Sequence, residues 1–169
     1  MIAVASCWFD RRFQRCFLTT LAGMDPADDP PEEAYGRVTN PERFRVLHDT
    51  AHRFLDELAG QYEVTEIRGM TSDPSGSRDQ APFRELDPAR PGVGRLRITF
   101  TAFPGLMVKL GQEQETALPA CGCDACNDDP ADLIEELHDQ IDQLTDARAQ
   151  KRTTRWRLKA PLPPANSTT

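Results

Sequence analysis

Apolar residues recur at helical spacing in two stretches of the chain and alternate with polar ones in several others. Between Asn40 and Gly60, the residues Phe44, Leu47, Ala51, Phe54, Leu55 and Leu58 fill one arc at about 100° per residue, with charged side chains opposite. Asn40 suits the N-cap, Pro41 the first helical position and Gly60 a C-terminal stop. A second helix is predicted from Pro130, capped by Asp129, with Leu133, Ile134, Leu137, Ile141 and Leu144 as its stripe. Acidic residues crowd its start, where the helix dipole favours them. Alternation predicts strands over 62–68 and 95–101, 106–110 returns as a partner strand, and 113–118 adds a further one. Phe103-Pro-Gly105 predicts a type II bend, and Gly111-Gln112 a tight connection. Residues 71–92 are rich in Ser, Gly, Asp and Pro. They read as a long flexible loop that lends the core at most Phe83 and Leu86. The pattern predicts an α+β domain of two amphipathic helices packed on a small antiparallel sheet, with disordered N- and C-terminal tails.

Length narrows this picture to one domain. At 169 residues the chain can bury a real core, but 38% hydrophobic residues and 14 prolines leave part of it as loop or tail. We place the domain at 30–147, after a disordered or misassigned extension over 1–29. A basic, Pro-rich disordered tail follows over 148–169. Met24, just before the Pro- and acid-rich 25–40, is a more natural start than Met1. Residues 1–23 lack the charged start and unbroken apolar core of a signal peptide. No apolar run approaches the ~20 residues of a membrane helix. The expected location is the cytoplasm, where thiols stay reduced.

Charge is unevenly spread. The net charge is −7, yet residues 148–169 carry six basic side chains and no acid, while 24–147 carry 26 acids against 11 bases. An acidic body is a poor partner for nucleic acid and suits a cationic partner or metal ions, whereas the basic tail suits an anionic partner; no membrane partner is expected.

Candidate chemistry gathers in Cys121-Gly-Cys-Asp-Ala-Cys126, which holds three of the five cysteines. Three thiolates at this spacing can converge on one soft ion, zinc above all. A fourth ligand would come from His138, at the border of the second helix's stripe, or from His48, His52 or Asp124. His48 and His52 are four residues apart on the first helix, but no Glu follows His48, so the zinc-protease pattern is absent. The preferred set is Cys121, Cys123, Cys126 and His138. The alternative chemistry is redox, through the C-x-x-C pair Cys123 and Cys126. Against it, Asp124, Asp128 and Asp129 should raise thiol pKa values and deplete the thiolate. No nucleotide-binding loop and no serine-nucleophile elbow occurs. The reading favours a non-enzymatic binding or interaction protein with a Cys-rich metal site over a thiol-dependent redox enzyme.

Two stretches also carry a resemblance. Pro31-Glu-Glu-Ala-Tyr-Gly-Arg-Val-Thr-Asn-Pro-Glu-Arg-Phe44 and Pro119-Ala-Cys-Gly-Cys-Asp-Ala-Cys126, with Phe103-Pro-Gly105 between them, resemble the signatures of an uncharacterised actinobacterial domain family of unknown function. The resemblance spans about 30–146. It implies no activity and no site residues. It does imply more ordered chain after the second helix than the basic tail offers, and we read that departure as a truncation or frameshift near Arg148.

Overall fold

The computed structural model describes residues 30–77, 79–112, 114–145 and 156–160. The extension with Met24, Cys7 and Cys16 lies outside the described residues, as does most of the basic tail. The described residues from Pro31 onward form one compact unit.

The first predicted helix is α1, Arg45–Gln61. Leu47, Ala51, Leu55 and Leu58 of its stripe are buried, as is Phe44 just before it. Both expected ends are corrected. The chain enters through a 3-10 turn, Pro41–Phe44, and the Asn40 side chain caps nothing. Gly60 does not stop the helix. The last carbonyls of a helix need partners, and here a distant segment supplies them. Lys159 Nζ donates to Ala59 O at 2.6 Å, and Lys159 N donates to Gln61 O at 2.8 Å. The second helix, α2, runs Pro130–Thr145. Asp129 caps it as expected, Oδ1 accepting the Ala131 N–H at 2.8 Å.

Five strands follow one another as an antiparallel meander in chain order: β1 Val64–Ser72, β2 Gln80–Pro88, β3 Leu96–Phe100, β4 Leu106–Leu110 and β5 Gln114–Leu118. The register pairs Ile98 with Val108, and Val108 with Thr116. Leu96, Ile98 and Phe100 therefore share a face with Leu106, Val108 and Leu110. The stripes of α1 and α2 join that apolar face in one core. The opposite face carries the cross-strand ion pairs Arg97–Glu85 and Lys109–Glu115.

The expected loop over 71–92 is corrected, because β2 runs through it. Two features hid the strand. Its two central residues, Arg84 and Glu85, are charged yet buried, so its apolar alternation is broken. It also contains Pro82 and Pro88. Both prolines lie outside Phe83–Leu86, the only residues that pair with β3. They sit where β2 has β1 alone as neighbour, an edge-like position that tolerates a missing N–H.

The Phe103–Gly105 bend is not type II, since Gly105 is not left-handed. The glycine is needed for space instead: a Cβ there would lie 2.8 Å from Leu118 O.

Residues 156–160 depart from the disordered tail expected over 148–169. Trp156 is fully buried, stands edge-on to Tyr62 at 5.6 Å and donates its indole N–H to Gly94 O at 2.9 Å. Glu63 N donates to Arg157 O at 2.7 Å, and Tyr62 and Leu158 form an isolated antiparallel bridge just before β1. Composition could not show this, because one aromatic among basic residues acquires meaning only when a hole of its shape exists.

Candidate functional site

After β5 the chain passes a cis Leu118–Pro119 peptide into the cysteine segment. Gly122 adopts φ +78°, a left-handed conformation, and a Cβ there would meet Phe103 Cζ at 2.7 Å. Only glycine fits between Cys121 and Cys123 on both counts. Asn127, at φ 46°, closes the turn and donates its N–H to Cys123 O at 3.2 Å. Asn is among the few side-chain-bearing residues that accept this conformation.

A second stretch far upstream holds the loop. Asp124 N donates to Arg37 O at 2.8 Å, and Ala125 N to Ala34 O at 3.2 Å. The Asp124 carboxylate accepts from Thr39 N at 2.8 Å, from the Thr39 hydroxyl and from Arg37 Nε at 2.9 Å. These donors, led by the Thr39 hydroxyl, hold its carboxyl down to about 2. The two stretches that carry the resemblance thus meet in space.

The structure brings Cys121, Cys123 and Cys126 together, with all three sulfurs within 4.8 Å of one another. Cys123 is buried, while Cys121 and Cys126 are exposed. A tetrahedral zinc with bonds of ~2.3 Å spaces its sulfurs at about 3.8 Å, so small side-chain rotations suffice to close the three on one ion. The donor set is all soft sulfur, which suits zinc better than a hard cation.

The fourth-ligand candidates fall elsewhere. Both Asp124 oxygens are engaged by Arg37 and Thr39. His138 stacks on Phe54 of α1 at 5.3 Å. It lies about 12 Å along α2 from Pro130, given a rise of ~1.5 Å per residue, and it is not one of the clustered ligands. His48 and His52 flank Phe100, far along the chain from the thiols and facing a separate cavity.

The effect expected of the neighbouring acids is also corrected. Cys123 is not raised but lowered to about 6. The Cys126 N–H is the chief cause, joined by the Cys121 and Cys126 thiols and the Gly36 N–H, all stabilising its thiolate. Asp124 does not oppose this, because its charge is spent on Arg37 and Thr39, and Asp129 is occupied in capping α2. Cys126 is pushed up to about 12, mainly because its thiol proton is held by Cys123, 3.5 Å away sulfur to sulfur. Chemically, this is one stabilised thiolate beside two further sulfurs, an arrangement ready to take a soft cation.

Sequence reasoning missed a second constellation. Arg84, buried in β2, binds Glu66 Oε1 and Asp56 Oδ1, each at 2.5 Å, and the His52 carbonyl at 3.2 Å. The His48 and His52 spacing was the one signal pointing there. Their partners come from β2 and β3 and could not be paired without the topology.

No helix among the described residues is long and apolar enough to cross a membrane. Comparison with curated proteins finds no match, and neither does comparison with solved structures. A model described as a family of unknown function, DUF6226, matches residues 21–167, and the chain belongs to that family.

Proposed function

We propose that the domain is a non-enzymatic binding module whose Cys121, Cys123 and Cys126 hold one soft metal ion, zinc being the best fit. The observation that carries this reading is the convergence of three sulfurs within 4.8 Å in a loop braced by a distant stretch. A pre-shaped loop spares the ion much of the ordering cost of binding. The stabilised Cys123 thiolate lowers the proton cost of metal entry. With His138 stacked on Phe54, the fourth position faces outward, beside the exposed Cys121 and Cys126, and a water or a partner's side chain would fill it. A reducing compartment such as the cytoplasm suits three free thiols. The acidic body favours a partner that is neither nucleic acid nor membrane.

The redox alternative has one specific support, the 3.5 Å contact between Cys123 and Cys126. Exposure speaks against it. A thiolate nucleophile must be reached by its disulfide substrate, yet the lowered thiol, Cys123, is 3% exposed, and the accessible Cys126 is the raised one.

Native mass spectrometry of protein purified without chelator tests the metal reading. About one zinc per chain is expected, lost in Cys123→Ser and weakened in Cys121→Ser. Occupancy below roughly a tenth of an equivalent after zinc addition would overturn it.

A further inference from the structure

A cavity of about 490 Å³ opens where α1 meets β1, β2 and β3, and none of the three loop cysteines lines it. Its size falls within the range of small-molecule sites. Three arginines line it, Arg45, Arg68 and Arg84, with His48 and His52, and no Asp or Glu. That charge runs against the surroundings, since residues 24–147 carry more than two acids for each base. Each arginine has a carboxylate partner that is not itself a lining residue. Arg45 Nε meets Glu42 at 2.6 Å, and Arg68 Nε meets Glu66 at 2.7 Å. Both arginines are mostly exposed, and exposed ion pairs contribute little, so their guanidiniums can turn to an incoming anion. Arg84 is different: it is 7% exposed and fixed between two carboxylates, so it gives the floor rigidity and no spare charge.

The rest of the wall is flat and apolar. His52 stacks on the Phe100 ring at 4.2 Å, and His48 stands edge-on to it at 5.3 Å. Hydrogen bonds assign both tautomers. Gly105 O can only accept, so His48 Nε2, 2.9 Å away, carries its hydrogen and Nδ1 is a lone pair. Arg84 Nη1 can only donate, so His52 Nδ1, 3.2 Å away, accepts and Nε2 carries the hydrogen. The two rings thus offer one acceptor and one donor. Burial holds both imidazoles below their usual pKa, with Arg84 adding to the effect at His52. The charge open to a ligand is that of Arg45 and Arg68, whose own ion pairs are exposed.

We propose that this cavity binds a small organic anion with a flat apolar body. Arg45 and Arg68 grip its carboxylate or phosphate group, and its ring lies beside Phe100 and His52. The site is separate from the thiol loop and needs no metal.

Histidine Cε1–H resonances read the binding directly, and His138, stacked on Phe54, serves as internal control. Benzoate, phenyl phosphate and benzylamine would be titrated into the intact protein. At least one anion should move His48 and His52 saturably, with a Kd below ~10 mM, and leave His138 still. The tighter of the two anions identifies the head group. The double variant Arg45→Ala, Arg68→Ala changes only exposed side chains and should bind about fivefold or more weakly. The proposal is overturned if neither anion moves the two histidines, if benzylamine moves them equally, or if the double variant binds as the parent does.

Discussion

The thiol loop and the histidine–arginine cavity are built at different sequence distances. The loop takes its ligands from six consecutive residues, and its turns are set by Gly122 within that stretch and Asn127 directly after it. The cavity draws its wall from residues 45 to 104, on one helix and three strands. The loop is braced by backbone hydrogen bonds and one paired carboxylate, whereas the cavity floor depends on a buried cation with two carboxylate partners. A site of the first kind tolerates change in the sheet but not in its own glycine. A site of the second kind fails when one distant residue is removed.

The largest expected effect is at Arg84. Arg84→Ala takes the partner from His52 and leaves Glu66 with Arg68 alone, and it should cost about 2–3 kcal/mol, less than a fully buried ion pair because Asp56 is largely exposed. Denaturant unfolding would measure this loss. If the cavity and loop are independent, zinc stoichiometry stays unchanged in the folded fraction.

The converse change is Gly122→Ala. It forces a left-handed Cβ residue against Phe103 and should cost about 1–2 kcal/mol. Zinc affinity should drop with it, while the His48 and His52 resonances keep their positions. Movement of those resonances would show that the Phe103–Gly105 bend couples the two sites.

Titration sharpens the comparison next. In metal-free protein, ultraviolet thiolate absorbance should report Cys123 ionising near pH 6, with Cys126 silent until far above neutrality. The sign follows from an acid whose folded pKa is depressed. Its stabilising contribution is full above the ordinary thiol value of ~8.5 and fades as pH falls through 6. A midpoint at the ordinary value would mean that the loop does not bond the Cys123 thiolate.

The smallest effect is expected at Arg45, whose pair with Glu42 is exposed on both sides. Arg45→Ala should change stability by less than about 0.5 kcal/mol. A thermal scan showing a larger loss would give Arg45 a structural role that the cavity proposal does not include.

Much of this fold could be read from the chain because its signals are local. The α1 and α2 stripes, the alternation in β3 and β4, and the Asp129 cap each depend on residues within a turn or a strand of one another. β2 escaped because burial of Arg84 and Glu85 becomes affordable only when partners arrive from α1, β1 and β3. Trp156 escaped for the same reason, since its hydrogen-bond acceptor, Gly94, lies 62 residues away.

The chain by itself determined which residues could carry chemistry in the loop, because three thiols in six residues can reach one ion once the chain turns. It also determined the class of fold, since hydrophobic period is a property of each segment alone. Only the tertiary structure decided the rest. It turned Asp124 onto Arg37 and Thr39 and left Cys123 the stabilised thiolate, and it set His138 on Phe54 rather than at the sulfurs. It also gathered three arginines and two histidines around Phe100. Charge and hydrogen bonding act through space over a few ångströms, and sequence distance does not measure that.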